Sequence, residues 1–474
     1  MKKRAELIFI PSPGISHLVP TLEFAKHLIN RDNRISITVL VMKLPPFSTS
    51  VDAYTKSFTS SHSSIQLIDL PQVELPSPEL LKSSVESYLT LFIENNIPQV
   101  RNIVRNLVSA HSDDSDSVRV TGLVLDLFCV SMIDVANELG LPSYIFLTTN
   151  AGFVSLMLYL STCHDKICTE FKPSDSDLSI PDFVNPVPVS VLLTSLFNKV
   201  GHAIFVKIAQ RFKDVNGIIV NTFAELEPYA IDSISGGLNP PVYTVGPLLD
   251  LKGQPVPDSD EAKRQDILEW LDDQPEFSVV FLCFGGGGSF SPAQVKEIAT
   301  GLEQSECSFL WSLRVSPPNN EVSVIDQCTN HDHFPEGFLE RTRGRGIICG
   351  WVPQIEVLAH KAIGGFVSHC GWNSILESLW YGVPIVTWPL YAEQQLNAFR
   401  MVKELGLAVE MRLDSRLNGD LVMADEIGRA VRTVMVGDSE IRKKVKEISE
   451  IGRKSLTDGG SSLVSMGQFI DLNF

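Results

Sequence analysis

The sequence predicts an α/β protein built from two successive doubly wound parallel sheets. Two observations carry that prediction. Short apolar runs rich in β-branched and aromatic residues alternate with helical patterns, and the runs are apolar nearly throughout, not at every second position. Strands covered by helices on both faces need that pattern. The alternation also restarts after a polar, proline-bearing stretch near residue 250, so the chain holds two such sheets in sequence.

Each element follows from its residues. Leu7–Pro11 is the first expected strand, and the turn Ser12-Pro13-Gly14-Ile15-Ser16 leads into a helix over His17–Ile29. Strands follow at Ile35–Val41, Ile65–Leu70 and Val120–Leu125. A helix ends at Asn137-Glu138-Leu139-Gly140, and Tyr144–Thr148 is the next strand. Gly217–Asn221 and Val242–Val245 close the first half. The stretch Lys252–Ala262, with Pro255, Pro257 and several acids, reads as a linker. Ser278–Phe284 opens the second half, followed by the glycine run 285–288 and a helix over Ser291–Ser305. Phe309–Leu313, Gly346–Cys349, Gly365–Ser368 and Pro384–Thr387 supply further strands, and Asp425–Val436 and Glu440–Leu456 are helical. The expected architecture is two Rossmann-like domains, 1–248 and 263–454, joined by a linker at 249–262, with no fixed-period repeat between them. Ligands of open α/β sheets bind beyond the carboxyl ends of the strands, so the expected site is a cleft across which the domains face each other.

Composition narrows the partners. A chain of 474 residues that is 44% hydrophobic has ample core for two domains. A formal charge of −17 argues against nucleic acid and anionic membranes. Of the eight cysteines, several lie in apolar runs, and Cys163 and Cys168 lack zinc-site partners at finger spacing, so reduced thiols in a reducing compartment are expected and no metal. The apolar run Leu7–Ile10 is too short for a signal segment, and no stretch approaches the roughly 20 apolar residues of a membrane span. A cytoplasmic protein without stable membrane insertion is the expectation, and nothing in the sequence demands more than a monomer.

The segment Trp351–Gln394 carries most of the chemistry. Cys370-Gly371-Trp372-Asn373-Ser374 lies between a strand ending near Ser368 and a helix starting near Asn373. A helix N-terminus offers unpaired N–H groups and a positive dipole end, a natural seat for a diphosphate. Gly371 permits close backbone approach, and Asn373 and Ser374 are suited both to capping and to donating to phosphate. Glu377, one turn later, can accept both hydroxyls of a ribose. Trp351 offers a flat face for a base. Glu393 and Gln394 suit a polyol, one as acceptor and the other as donor and acceptor.

This segment resembles the nucleotide-sugar signature of the plant family-1 UDP-glycosyltransferases at nearly every patterned position, including Trp351, Pro353, Gln354, His360, His369 to Ser374, Glu377, Trp388, Pro389, Glu393 and Gln394. The resemblance implies the GT-B fold, with acceptor in the N-terminal half, donor in the C-terminal half, and residues 455–474 crossing back as a helix onto the first domain. It implies UDP-glucose as donor substrate, with no cofactor or metal. It places Gln354 near base and ribose, His369 at the phosphates, Glu393 and Gln394 on the sugar hydroxyls, and Val352, Trp372 and Tyr391 beside the donor. One departure stands out. Relatives commonly have a serine where this chain has Gly286, within Phe284-Gly285-Gly286-Gly287-Gly288-Ser289, so backbone N–H groups or Ser289 must replace that hydroxyl.

His17 opens the first helix and Asp126 follows the strand Val120–Leu125, so both stand at carboxyl ends of strands. A neutral imidazole there can take a proton from an acceptor hydroxyl while a carboxylate orients and charge-balances it. Relatives have a histidine and an aspartate at these positions, which implies direct displacement with inversion. Ser16 departs from the glycine common before this histidine. Along the whole chain the resemblance is to the subgroup acting on flavonoids, phenylpropanoids and related aglycones, with lignans and terpenoids also open. Acceptor walls are expected from Ile15, Phe128, Thr148, Phe153, Leu192, Leu196 and Tyr391. Two other readings stay open at this stage. A nicotinamide-dependent dehydrogenase would explain glycine runs after strands, but no GxGxxG opens the first domain. A non-catalytic binder of sugar nucleotides or phenols would not need both His17 and Asp126.

Overall fold

The computed structural model describes residues 4–45, 48–62, 64–110, 118–163, 169–235, 240–253, 261–315, 333–416 and 419–473. Two compact units divide the chain: Met1–Val189 with Thr194–Asp250 and Lys454–Phe474, and Ser190–Leu193 with Leu251–Arg453.

The first unit holds seven parallel strands: β1 (Ala5–Ile10), β2 (Ile35–Val41), β3 (Ile65–Asp69), β4 (Arg119–Asp126), β5 (Ser143–Leu147), β6 (Gly217–Val220) and β7 (Val242–Thr244). Their order is β3-β2-β1-β4-β5-β6-β7, so chain direction across the sheet reverses between β1 and β4. The central strands β1 and β5 are buried at every position, as unbroken apolar sequence between two helical layers requires. The edge strand β3 is less covered, with Ile65 buried and Gln66 and Asp69 exposed. Register pairs Ile10 with Leu125, so the turn after β1 and Asp126 at the end of β4 emerge side by side.

The second unit holds six parallel strands: β8 (Val279–Cys283), β9 (Ser308–Ser312), β10 (Gly346–Cys349), β11 (Ile363–Ser368), β12 (Ile385–Thr387) and β13 (Ala408–Val409). The order β10-β9-β8-β11-β12-β13 reverses between β8 and β11, whose last residues Cys283 and Ser368 are register partners. Two parallel sheets of seven and six strands with helices between them are the GT-B architecture.

The helix Ser461–Asn473 belongs to the first unit. It buries Met466, Phe469 and Ile470 there. The Phe469 ring meets Tyr144 and Tyr243 edge-on, at 5.1 and 5.3 Å between centroids. Burying such a ring contributes roughly 2–3 kcal/mol. Ser462 Oγ donates to the Gly246 carbonyl, tying the start of the helix to the turn after β7.

Some boundaries differ from the sequence reading. The first helix is Ile15–Arg31, beginning before His17, because Gly14 at φ 122° starts it. Residues 254–260 of the expected linker lie outside the described residues, and Glu261 and Ala262 already belong to the helix Glu261–Asp272. After the last expected strand of the second half, the helix Gln394–Phe399 widens to a π-turn over Arg400–Glu404. No helix among the described residues is long and apolar enough to cross a membrane.

Candidate active site

In the first unit the chemistry gathers where the sheet order reverses. His17 is the third residue of its helix, at the carboxyl end of β1. Its Nδ1 lies 2.8 Å from Asp126 Oδ2 and 3.5 Å from Thr148 Oγ1. Asp126 is the last residue of β4 and caps the short helix Leu127–Met132, with its side chain 1% exposed against 26% for His17. The other carboxylate oxygen accepts from Ser12 Oγ and, at 3.2 Å, from the Phe128 N–H. Asp126 is therefore held from both oxygens. The hydrogen-bond arrangement assigns the proton to Nδ1, donated to Asp126, which puts the lone pair on Nε2. Phe128 meets the His17 ring edge-on at 6.3 Å, and Phe205 backs Phe128 at 6.2 Å.

Ser12 was legible only as a turn residue. Its role depends on Asp126, 114 positions away, which no local signal reports. Cys129 has its Sγ 3.8 Å from Ser12 Oγ, and burial, then the Asp126 charge, push its thiol up.

The expected acceptor residues divide. Ile15, Phe128 and Thr148 are half-buried beside His17 along the chain or in space. Phe153, Leu192 and Leu196 are 2, 0 and 0% exposed. Those three are buried side chains, unlike the half-buried residues beside His17.

In the second unit two loops leave adjacent strands β8 and β11. The imidazole of His369 lies between their glycines. A Cβ on Gly285 or on Gly371 would stand 2.6 Å from His369 Nε2, so neither loop tolerates a side chain there. Gly285 also needs its φ of 68°. A Cβ on Gly288 would meet the Phe284 carbonyl at 2.2 Å, whereas Gly286 faces open space. His369 is 6% exposed, burial lowers its pKa to about 4, and its Nδ1 has no hydrogen-bond partner among the described residues. It is a neutral ring with an unsatisfied polar atom.

Cys370 next takes φ 62°, a left-handed conformation costly for a residue with a side chain. The surroundings impose it: Ser368 Oγ accepts from the Cys370 N–H at 3.1 Å, and Asn397 Nδ2 donates to the Cys370 carbonyl at 3.0 Å. Asn397 lies beyond the signature segment and was not singled out from sequence. The helix Trp372–Trp380 starts immediately afterwards with Gly371 as its cap and no side-chain capping bond. That corrects the expectation that Asn373 and Ser374 cap it; they are its second and third residues. Its first intrahelical bond is from Ile375 to Gly371, which leaves the earlier N–H groups outside the helical ladder.

Gln354 Nε2 donates to Ser374 Oγ at 2.9 Å and to Glu377 Oε2 at 2.6 Å, so three expected donor residues form one cluster. Trp351 and Glu393 are half-buried, and Val352 is 8% exposed. Trp372 is 3% exposed, so its ring is a core element. Gln394 differs from expectation. Its Oε1 accepts from the Leu390 and Tyr391 N–H groups at 2.9 and 3.0 Å, so the acceptor half of the amide shapes the loop, and the side chain also hydrogen-bonds the Tyr391 phenol. The Tyr391 hydroxyl packs on Gly287, 3.1 Å from where a Cβ would be, and burial pushes the phenol up. Ser289 closes the glycine run, half-buried. No cluster of His, Cys, Asp or Glu able to hold a metal occurs among the described residues.

Residues 248–454 match the family model for UDP-glucoronosyl and UDP-glucosyl transferase. UDP-glycosyltransferase 71K1 of Malus domestica is 55% identical, covering 99% of this chain and 98% of its own. The Arabidopsis thaliana flavonol 3-O-glucosyltransferase UGT71C4 is 50% identical over 99% and 98% of the two chains. The crystal structure of Medicago truncatula UGT71G1 complexed with UDP-glucose superposes with a TM-score of 0.89 at 52% identity, covering 99% and 98%.

Proposed function

The chain belongs to the UDP-glycosyltransferases, the plant family-1 enzymes of the flavonoid type that transfer a glycosyl group to small aglycones, and from that premise we propose that it is an inverting UDP-glucose-dependent O-glucosyltransferase. The observation that carries the mechanism is the 2.8 Å contact between His17 Nδ1 and a buried Asp126.

The reaction follows from that geometry. With its proton on Nδ1, His17 takes the proton of an acceptor hydroxyl at Nε2. The hydroxyl oxygen forms a bond to the anomeric carbon of glucose from the face opposite the diphosphate. The bond from that carbon to the diphosphate oxygen breaks, UDP leaves, and the α-linked donor gives a β-glucoside. Asp126 balances the imidazolium that forms, and Ser12 and Phe128 N–H keep the carboxylate oriented while it does so. On the donor side, the early N–H groups of the helix Trp372–Trp380 and the neutral His369 meet the diphosphate. Gln354 and Glu377 take the ribose, Trp351 the uracil, and Glu393 with the Gln394 NH₂ the glucose hydroxyls. The acceptor is a flavonoid, phenylpropanoid, lignan or terpenoid alcohol, matched to the apolar surroundings of His17 at Phe128 and Ile15.

A mass-spectrometric assay with UDP-glucose and a mixed panel of those aglycones tests the reading. A gain of one hexose on an acceptor, lost in His17→Ala, supports it. A chain that binds UDP but glucosylates no member of a broad panel would reduce it to a sugar-nucleotide binder.

A further inference from the structure

The donor residues named so far have a charge problem. A nucleoside diphosphate sugar brings about two negative charges, yet Glu377 and Glu393 are acids, His369 is neutral, and Gln354, Asn373, Ser374 and Gln394 are uncharged. A helix end supplies only about half a positive charge. The protein as a whole, at −17, adds no attraction.

One cation stands at the glycine run. Arg314 lies just past the carboxyl end of β9, next to β8 in the sheet. Its Nη1 donates to the Gly285 carbonyl. Its backbone is fixed by the Phe290 N–H bonding to the Arg314 carbonyl at 3.1 Å and by the bridge from Phe290 to Val315. The guanidinium is half-buried, and its charge is felt at Cys283 and Tyr391, on the two sides of the same run. One bond to Gly285 uses one of five N–H donors in the guanidinium fork, a geometry suited to phosphate oxygens. Beside it, Gly286 and Gly287 are exposed, and Gly286 presents neither side chain nor hydroxyl.

We propose that Arg314 is a donor-binding residue: its guanidinium, anchored on Gly285, meets the diphosphate and stands in for the hydroxyl absent at Gly286. The inference rests on the donor-site reading above. It assigns the fork two tasks, holding the β8 loop through the Gly285 carbonyl and offering charge to the ligand.

Calorimetric titration with UDP and with uridine separates those tasks. In Arg314→Gln the side-chain amide can still donate to Gly285 but the charge is gone. Its UDP dissociation constant should rise about tenfold or more, the size of a lost charge-assisted bond, while uridine binding stays unchanged. Arg314→Lys keeps the charge and should recover most of the UDP affinity. In turnover with UDP-glucose, Arg314→Gln should raise KM for the donor more than it lowers kcat. Equal UDP affinity in Arg314→Gln and the unaltered chain would overturn the inference and leave the donor site standing. Parallel loss of UDP and uridine would also overturn it, by making Arg314 a loop anchor only. Failure of the unaltered chain to bind UDP at all would overturn the donor-site reading along with it.

Discussion

The two units each have a histidine at the point where sheet order reverses, and the two histidines are set up for opposite work. His17 follows β1, is about a quarter exposed, and is paired with a carboxylate at 2.8 Å. His369 follows β11, is 6% exposed, and lies between two glycine loops, with no hydrogen-bond partner at Nδ1 among the described residues. One has a carboxylate partner, and the other sits where burial disfavours a cation. The same topology thus holds a carboxylate-paired imidazole in one unit and a buried, neutral imidazole in the other, which suits the first to the proposed proton transfer and the second to the proposed anion site. The lesson is that the sheet's switch point fixes where chemistry gathers, while the side chain across the loop decides what kind.

The largest effect should come from breaking the charged side of that contrast. His17→Ala should lower turnover by about 10²-fold or more, with UDP affinity unchanged by calorimetry because the donor residues belong to the other unit. Unchanged turnover would remove His17 from the mechanism.

The second test concerns the neutral histidine. Burial holds the His369 pKa near 4, below its ordinary 6.5. The unfolded chain therefore binds the extra proton first as pH falls. The stabilisation is fully present above pH 6.5 and drains away between 6.5 and 4. At 1.36 kcal/mol per unit it amounts to about 3 kcal/mol at most. Denaturation of the unaltered protein and of His369→Asn, compared across that window, should show the gap closing as pH falls, since acid-sensitive carboxylates are common to both. Parallel curves would mean that His369 is not buried neutral.

Much of this contrast could be read from sequence, for identifiable reasons. The strands were legible because helices cover both faces and force unbroken apolar runs, as in the six buried residues of β1. The candidate donor residues could be picked out because Trp351 to Gln394 is one contiguous stretch in which two successive loops and a helix start contribute. Ser12, Arg314 and Asn397 were not, because each acts on a backbone or carboxylate far away in sequence: Ser12 on Asp126, Arg314 on Gly285, and Asn397 on Cys370. The Gln394 orientation was hidden for a related cause. Which half of an amide faces a ligand depends on what the other half bonds, here the Leu390 and Tyr391 N–H groups. The burial of Phe153, Leu192 and Leu196 was not legible either, because an apolar residue reads alike whether it lines a pocket or fills a core.

A smaller effect tests the wall around His369. Gly285→Ala sets a methyl 2.6 Å from Nε2 and forces a side chain into φ 68°. The left-handed conformation alone costs about 1–2 kcal/mol. UDP affinity should fall roughly tenfold, at that energy. Gly288→Ala fails differently, against the Phe284 carbonyl, and should show mainly as a lowered Tm. If Gly285→Ala binds UDP normally, the ring is not the fixed wall described.

The smallest effect runs in the opposite direction, and it sharpens what the glycine run is for. Gly286 has open space where a Cβ would go and does not occupy the left-handed region, so the backbone accepts a side chain there without strain. Gly286→Ser adds a hydroxyl at the loop and removes some of the chain entropy that a run of glycines loses on ordering. Donor KM should fall a few-fold, with kcat and acceptor KM unchanged. In an Arg314→Gln background the same substitution should gain more, because the hydroxyl and the guanidinium serve the same oxygens. Equal gains in both backgrounds would mean that the two groups act independently, and that the bare backbone at Gly286 is unconnected with the cation beside it.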